Sequence, residues 1–342
     1  MASGRPVARV QGTARPESAV SADRAEQMPE TAARTVPPAS AGRRPSVCVV
    51  VPTRNRPELL ERSVRGILGQ SYPGDIECIV VFDRTEQAPV AADVPAGRTL
   101  RLIANARRPG LAGARNSGIL AGSSDLVAFC DDDDAWLPEK ISLQVGLLQS
   151  AGAEFASCGT RFHYADRIIE RPAPPSVALS QLVRRRIPEM GAPTFLIRRD
   201  VLDIIGLVDE DIPGSYGEDY DLLLRAARRG PIVAVERPLV DVYWHPRSFF
   251  ADRWQTIVDG LSYLLDKHPE LRSDKRGLAR IQGQIAFAQA AMSRRSPAFV
   301  ASGRALANNP LERRAYVALA VAFGAVPAAS IARMANRRGR GI

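Results

Sequence analysis

The sequence runs Leu126-Val-Ala-Phe-Cys-Asp-Asp-Asp-Asp-Ala-Trp-Leu-Pro138 at the point that decides its fold. An apolar run that ends in a group of carboxylates is typical of a buried strand with functional residues at its carboxyl end. Four consecutive aspartates repel one another strongly, so we expect a positive charge beside them. Hard oxygen ligands suit Mg²⁺ or Mn²⁺, which would keep coordination positions open for substrate phosphates. The alternative is a solvated acidic turn that caps a helix starting near Pro138.

Similar apolar runs precede this stretch and alternate with helical patterns. The predicted strands are 46–51, 76–82, 99–103 and 126–130, and the predicted helices are 57–70 and a short one that starts within 110–118. Strands that alternate with helices at this spacing predict a mostly parallel α/β sheet, in which the loops after the strands share one edge. The segment Pro52–Asn55, Asp83 and the acidic stretch should therefore line one crevice.

The pattern becomes mixed after a helix predicted over 139–150. Further strands are predicted at 154–157, 194–197, 232–235 and 239–243. The proline-rich segment that leads into Arg184-Arg-Arg186 is predicted to be a loop that crosses the surface. Gly217-Glu-Asp-Tyr-Asp-Leu222 opens a helix with an apolar face, and its first turn holds Glu218 and Asp219. Acids at a helix start are also favoured by the helix dipole alone.

The net charge of +9 is concentrated at the two ends of the chain. Residues 271–342 hold 13 Lys and Arg against two acids, residues 1–45 hold seven Arg against four acids, and residues 46–270 carry a net charge of −5. An acidic centre is not the footprint of a nucleic-acid-binding protein, whereas a basic tail suits an anionic membrane surface. Residues 1–45 show no hydrophobic period and are predicted to form a disordered arm.

The cysteines and the apolar segments indicate where the protein works. Cys48, Cys78, Cys130 and Cys158 lie far apart, without metal-ligand or redox-motif spacing, so buried free thiols in a reducing cytosol are expected. The N-terminus lacks the apolar core of a signal peptide, which favours a cytoplasmic location. The longest uncharged stretch, Ala315–Ala332, is Ala-rich and interrupted by Gly and Pro, so a packed or interface-lying helix pair is favoured over a membrane span.

Four motifs together resemble the family-2 glycosyltransferases of the GT-A fold. They are Val49-Val-Val-Pro-Thr-Arg-Asn-Arg-Pro57, Gly113-Ala-Arg-Asn-Ser-Gly118, Phe129-Cys-Asp-Asp-Asp-Asp-Ala-Trp136 with Pro138, and Gly217-Glu-Asp-Tyr-Asp-Leu222. The resemblance implies a Rossmann-like nucleotide-binding sheet that is mostly parallel, a small mixed sheet on the acceptor side, and helices after them. It divides the chain into the arm 1–45, a GT-A domain at 46–248 and a basic helical region at 249–342.

The same resemblance implies a reaction and its cofactor. A sugar would pass from a nucleotide-diphosphate-sugar to an acceptor hydroxyl, with inversion at the anomeric carbon and with Mn²⁺ or Mg²⁺. The product would belong to cell-surface polysaccharide, glycolipid or glycosylated-metabolite synthesis. The protein would work in the cytoplasm, with peripheral contact at the inner face of an anionic membrane through residues 271–342.

The resemblance also assigns residues to roles. The implied nucleotide-sugar contacts are Pro52, Thr53, Arg54, Asp83, Arg115, Asp131 and Asp132. Asp133 would be the closest metal ligand, with Asp131 beside it. Asp219 would be the general base, with Glu218 as its catalytic neighbour, and His245 is a further candidate. The metal would neutralise charge on the departing diphosphate while a separate carboxylate removes the proton from the attacking hydroxyl.

One motif departs from the family pattern, and other classes compete. The second strand ends in Val81-Phe-Asp-Arg-Thr85, where the family usually has two aspartates, so the identity of the nucleotide stays open. Haloacid-dehalogenase-type phosphatases also carry clustered aspartates, but ordinarily after their first strand. A nucleotidyltransferase would need a Gly-rich triphosphate loop, which the sequence lacks. The non-enzymatic alternative is a catalytically silent GT-A-like scaffold, attached to a membrane or a partner through its basic tail.

Overall fold

A computed structural model of the protein describes residues 43–164, 167–243 and 253–337. The predicted disordered arm, 1–45, lies almost entirely outside the described residues. So do His245 and the predicted domain boundary between residues 248 and 249.

Ten strands and eleven α-helices make up the described part of the chain. The strands are β1 (Val47–Thr53), β2 (Ile76–Phe82), β3 (Arg98–Ala104), β4 (Leu126–Phe129), β5 (Ala135–Trp136), β6 (Phe155–Tyr164), β7 (Arg167–Arg171), β8 (Ser176–Val177), β9 (Leu196–Arg198) and β10 (Ile232–Tyr243). The helices are α1 (Pro57–Leu68), α2 (Leu111–Ala121), α3 (Lys140–Ala151), α4 (Leu179–Arg184), α5 (Arg199–Ile205), α6 (Glu218–Ala227), α7 (Trp254–Lys267), α8 (Lys275–Ala291), α9 (Arg295–Asn308), α10 (Arg313–Ala322) and α11 (Ala328–Arg337).

All ten strands belong to one sheet, whose main path has the order β3-β2-β1-β4-β9-β6-β10-β5. The strands β1 to β4 run parallel, with Val47 of β1 opposite both Ile76 and Leu126. β9 is antiparallel to β4 and to β6, while β10 runs parallel to β6. The predicted parallel part and mixed part are both confirmed, and β9 joins them into a continuous sheet.

The first strand shows why this sheet is covered on both faces. All seven residues of β1 are buried, as its continuous β-branched run predicts. Its residues Val47, Val49 and Val51 pack in one apolar cluster with α1 and α3. Cys48 and Val50 point the other way and pack with α2 and α6. Because helices cover both faces, the carboxyl edge of the parallel strands remains the place for a site.

The motif Gly113-Ala-Arg-Asn-Ser-Gly118 allows α2 to approach the sheet closely. A Cβ atom at Gly118 would lie 2.3 Å from Val50 Cγ1, and one at Gly113 would lie 1.9 Å from the carbonyl oxygen of Arg108. Neither distance is compatible with a larger side chain, so glycine at both positions fixes how α2 packs against β1 and against the loop before it.

Two predicted elements differ from the structure. Residues 232–235 and 239–243 form the single strand β10, and its register with β6 shifts on either side of Pro238. Proline has no N–H to donate, so the ladder bulges there and the strand continues. The predicted surface loop before Arg186 contains the helix α4, because Leu182 and Val183 are buried in the main core.

The predicted C-terminal helical region is confirmed in α7 to α11. Small buried residues, including Ala286, Ala301 and Ala318, let α8, α9 and α10 pack together. The stretch Ala315–Ala332 is divided between α10 and α11. In the described ranges, none of the helices combines the length and the apolar character needed to cross a bilayer. The four cysteines are free and buried, as expected.

Lys140, at the start of α3, is a buried cation whose titration we expect to show in protein stability. Its Nζ donates to Gln144 Oε1 at 2.8 Å and lies 3.8 Å from the centroid of the Trp136 ring. Burial lowers the pKa of Lys140 to about 8. An unfolded lysine keeps a pKa of about 10.4, so between these two values the unfolded chain binds more protons and stability rises with pH.

We therefore predict that the wild-type protein gains about 2 kcal/mol of unfolding free energy relative to Lys140→Met between pH 7 and pH 10. Urea denaturation of both proteins at the two pH values measures the difference. A difference between the two proteins that stays the same at both pH values would contradict the prediction.

Candidate functional site

The loops after β1, β2 and β4 meet at one edge of the sheet. Thr53 Oγ1 donates to Asp132 Oδ2 at 2.8 Å, and the backbone N–H of Asp83 donates to the carbonyl of Thr53 at 3.0 Å. Asp83 Oδ1 also accepts from Asn105 Nδ2 at 2.8 Å and from the N–H of Gly110 at 3.1 Å. These contacts bring together three of the predicted site residues, which lie up to 79 positions apart.

Two other residues of the predicted nucleotide contact lie on the first of these loops. Pro52 is buried inside β1, and Arg54 is exposed just after the strand ends. The side chain of Arg54 therefore faces solvent at the edge of the site, where it is accessible to a ligand.

The acidic stretch does not form a single cluster of four carboxylates. Asp131 Oδ1 accepts from Arg115 Nη2 at 2.7 Å. Arg56 Nη1 lies 2.7 Å from Asp133 Oδ2 and 3.2 Å from Asp132 Oδ1. The positive charge expected beside the aspartates is therefore supplied by two arginines. Burial raises the pKa of Asp132 to about 6, against the opposing effect of its hydrogen bond from Thr53.

The fourth aspartate of the stretch belongs to the framework. Asp134 is buried, and its Oδ1 accepts from the backbone N–H of Tyr243 at 3.4 Å. Its backbone N–H closes a turn onto the carbonyl of Asp131 at 3.2 Å. Arg62 donates to the carbonyl of Asp133 at 2.6 Å and stacks 3.8 Å from the centroid of the Tyr243 ring. This turn fixes the direction in which the three preceding carboxylates point.

The arrangement fits a metal that is shared with a substrate better than a metal held by the protein alone. Across the described parts of the chain, no three His, Cys, Asp or Glu side chains converge as a metal site. Mg²⁺ and Mn²⁺ bound to phosphate substrates often need only one or two protein carboxylates. The side chain of Asp133 is 27% exposed, against 8% for Asp132, so Asp133 is the more accessible of the two carboxylates beside Arg56.

Arg115 joins the acidic stretch to the first turn of α6. Its side chain is buried, with Nη2 bonded to Asp131 and Nη1 bonded to Glu218. The sequence predicted that Arg115 would reach the nucleotide and that Glu218 would be catalytic. In the structure these two residues form a buried ion pair with each other. Burial raises the pKa of Glu218 to about 7, against the opposing charge of Arg115. This geometry suits a positioning role for both residues, and contact of either one with a substrate stays a prediction.

Asp219, the predicted base, is held by an arginine that the sequence analysis missed. Arg186 Nη2 lies 2.9 Å from each of its carboxylate oxygens, and the N–H of Tyr220 donates to Oδ1 at 2.7 Å. The left-handed backbone of Gly217, at a φ of 88°, starts α6 and directs the side chains of its first turn. The charge of Asp219 raises the pKa of Arg186, so Arg186 stays positively charged.

The two halves of the site are therefore close. One guanidinium group spans the gap between Asp131, after β4, and Glu218, beside Asp219. Of the predicted residues, Thr53, Asp83 and Asp131 to Asp133 line one side, and Asp219 lies at the start of α6. Arg56 and Arg186 were missed, although Arg56 stands in the first motif and Arg186 ends a run of three arginines.

Comparisons with known proteins show which family this chain is similar to. The model of the family described as glycosyl transferase family 2 matches residues 48–206. AmsB of Erwinia amylovora, named an amylovoran biosynthesis glycosyltransferase, is 30% identical over 241 residues, which cover 66% of this chain and 79% of AmsB. WfgD of Escherichia coli, named a UDP-Glc:alpha-D-GlcNAc-diphosphoundecaprenol beta-1,3-glucosyltransferase, is 22% identical over 190 residues, which cover 55% of this chain and 72% of WfgD.

A solved structure shows the same fold. The mannosyltransferase PcManGT from Pyrobaculum calidifontis, in complex with GDP-Man and Mn²⁺, superposes with a TM-score of 0.51 at 20% identity, covering 86% of this chain and 88% of that one. The GT-A fold expected from the four motifs is confirmed. The sequence match to AmsB covers more than two thirds of that enzyme, and the family model matches a region that contains the first three motifs. This protein is therefore a member of glycosyl transferase family 2, a family of glycosyltransferases.

Proposed function

We propose that the protein transfers a sugar from a nucleotide-diphosphate-sugar to an acceptor hydroxyl, with a divalent metal and with inversion at the anomeric carbon. The observation that carries the proposal is the bridge from Asp131 through Arg115 to Glu218. It sets the acidic stretch at one end of the site and Asp219 at the other, which is the separation of roles that the reaction needs.

The donor would bind at the carboxyl ends of β1, β2 and β4. Thr53 and Asp83 would contact the nucleoside there. The exposed Arg54 follows Thr53 directly in the sequence. Asp133, assisted by Asp131, would hold Mn²⁺ or Mg²⁺ together with the diphosphate. The metal supplies charge neutralisation for the departing diphosphate. The Mn²⁺ and GDP-Man in the solved mannosyltransferase support this use of the fold.

The acceptor would bind beside α6. Asp219 removes the proton of the attacking hydroxyl, on the face of the sugar opposite the departing diphosphate, which gives inversion. A carboxylate paired with a guanidinium is a weaker base than a free one, because the positive charge stabilises its ionised form. Arg186 must therefore exchange Asp219 for another partner when the acceptor binds.

The relatives favour a role in surface-polysaccharide synthesis. AmsB is named for the biosynthesis of amylovoran, and WfgD for the transfer of glucose to a lipid-linked sugar. We propose a product of the same general class for this chain. A screen of nucleotide-sugars is needed to identify the sugar and the nucleotide. The family usually has two aspartates at the end of β2, whereas this chain has only Asp83, with Phe82 and Arg84 on either side of it.

We also propose that the C-terminal helices contact the inner face of an anionic membrane. Leu311 and Phe323, at the two ends of α10, are exposed by 82% and 73%. Arg313 and Arg314 follow Leu311 closely in sequence, and such a mixture of apolar and basic residues suits a lipid interface. The variant Phe323→Ser should bind phosphatidylglycerol vesicles less tightly than the wild type in a co-sedimentation assay. Equal binding would count against the contact.

The function itself is tested by a screen of UDP-, GDP- and dTDP-sugars with and without Mn²⁺. The correct donor raises the melting temperature of the protein, because it binds the folded state. With that donor, an acceptor extract and Mn²⁺, free nucleoside diphosphate is released. A protein that responds to none of these donors would be better explained as a catalytically silent scaffold.

A further inference from the structure

Gly191 lies in the loop between α4 and β9, directly beside the carboxylate of Asp219. A Cβ atom at this position would lie 3.9 Å from Asp219 Oδ2 and 3.8 Å from Pro193 Cδ. Apart from the two residues adjacent in the chain, no other atom of the described residues comes within 4 Å of that Cβ position. Residue 191 therefore borders the predicted base on the side of Oδ2.

Neither the backbone nor the packing requires a glycine at this position. Gly191 has a φ of −93° and a ψ of 169°, an extended conformation that residues with side chains adopt readily. Gly113 and Gly118 differ from it, because a Cβ atom there would meet other atoms at 1.9 Å and 2.3 Å. The fold would accept a methyl group at residue 191. What the glycine provides is room in front of Asp219.

The loop that carries Gly191 is held in place by hydrogen bonds. The carbonyl of Gly191 accepts from the N–H of Thr194 at 2.9 Å and from its Oγ1 at 2.7 Å. The carbonyl of Pro193 accepts from Trp136 Nε1 at 3.1 Å, and that of Thr194 accepts from Gln144 Nε2 at 2.7 Å. Because these bonds fix the loop, a side chain added at residue 191 would stay beside Asp219.

The two oxygens of Asp219 differ in their hydrogen bonds. Oδ1 accepts from the N–H of Tyr220 at 2.7 Å and from Arg186 Nη2 at 2.9 Å. Oδ2 accepts from the same Nη2 at 2.9 Å and has no second hydrogen-bond partner within the described ranges. A carboxylate oxygen has two lone pairs, so Oδ2 can accept one further hydrogen bond. This oxygen is also the one that faces Gly191.

We propose that the acceptor hydroxyl reaches Asp219 Oδ2 through the space beside Gly191, so that residue 191 determines how large a group can approach the base. The inference rests on the proposed function, because it takes Asp219 as the base. The hydroxyl gives its proton to Oδ2 while its oxygen forms a bond to the anomeric carbon of the donor sugar. The bond from that carbon to the diphosphate breaks, and its electron pair leaves with the diphosphate.

Distances explain why residue 191 controls the approach. A hydroxyl that donates to Oδ2 has its oxygen about 2.7 Å away, and the carbon that carries it lies about 3.5 Å from Oδ2. A Cβ atom at residue 191 would lie at 3.9 Å from the same oxygen. Two carbon atoms pack no closer than about 3.5 Å, so the added methyl group crowds the acceptor carbon. Water carries no carbon and still reaches Oδ2.

The variants Gly191→Ala and Gly191→Val test the proposal through two reactions of the same donor. The first reaction is transfer, measured as the slope of nucleoside diphosphate release against the amount of acceptor extract. The second is hydrolysis, the release with water alone as the acceptor. We expect transfer to fall about tenfold in Gly191→Ala and about a hundredfold in Gly191→Val. Hydrolysis should stay at its wild-type rate in both variants.

Gly230, in the turn after α6, offers a matched control. Its Cβ position has no atom within 4 Å and its φ is not positive, so Gly230→Val adds the same side chain away from Asp219. This variant should keep both reactions. The donor-induced shift in melting temperature should be the same in all of these proteins. Gly191→Ala keeps the test valid if Gly191→Val does not fold, because its methyl group makes contacts only at ordinary distances.

The outcomes separate this proposal from the function on which it rests. A wild type that shows neither a donor-induced shift nor release of nucleoside diphosphate would count against the proposed function. If the wild type is active and both variants transfer sugar to the extract equally well, the approach beside Gly191 is wrong. Equal loss of transfer and hydrolysis in the variants would also overturn it, because a size limit spares water.

Discussion

Asp219→Asn is expected to lower turnover by about 10² or more while donor affinity stays nearly unchanged. The amide cannot take the proton of the attacking hydroxyl, so the acceptor reacts slowly even when it is correctly placed. In the proposed function, donor binding depends on residues after β1, β2 and β4, which the substitution does not change. Release of nucleoside diphosphate measures turnover, and the donor-induced shift in melting temperature measures binding.

Asp259→Asn on α7 is a suitable control, because this aspartate is exposed and bonded to Gln255 on the same helix. It should leave both readouts at wild-type values. A second comparison concerns Arg186, which loses its charged partner in Asp219→Asn. The melting temperature without donor therefore has to be measured as well. If Asp219→Asn lost donor affinity as strongly as it lost turnover, Asp219 would not be the base.

The second large effect is expected from Asp133→Ala, which should abolish metal-dependent binding of the donor. Asp133 is the more exposed of the two carboxylates on Arg56, so it is the one that can reach a metal on the diphosphate. For the wild type, the donor should raise the melting temperature in Mn²⁺ and much less in EDTA. For Asp133→Ala, the donor should have the same small effect in both conditions.

Other aspartates show why Asp133 is the informative choice. Asp131→Ala would leave the buried Arg115 with one carboxylate less, so lost stability would obscure any loss of metal. Asp211 is a better control, because its side chain is 66% exposed and pairs with Arg108 outside the acidic stretch. Asp211→Ala should keep the full Mn²⁺-dependent shift. The metal would have to be assigned to other residues if Asp133→Ala kept that shift too.

The parallel half of the sheet was predictable because each of its strands is a continuous apolar run with a clear end. β1 is bounded by the loop that starts at Arg54, and β4 by the aspartates, so the pattern reveals both the strands and their shared edge. The mixed half lacks such signals. β8 has only two residues, and α4 follows several prolines, so neither shows a period long enough to detect.

The carboxylates of the site were predictable, whereas their arginine partners were not. The aspartates occur in motifs whose spacing is visible along the chain. Arg56 lies 76 positions from Asp132, and Arg186 lies 33 positions from Asp219. Among 46 Lys and Arg residues, only the three-dimensional packing determines which ones reach a given carboxylate.

The buried link from Asp131 through Arg115 to Glu218 also restricts how the enzyme can diversify. The Arg115 side chain contacts both Asp131 and Glu218. A substitution in the first turn of α6 is therefore expected to affect the binding of the donor and the acceptor together. New acceptors are therefore reached more safely by changes elsewhere in the site, which leave Asp131, Arg115 and Glu218 intact.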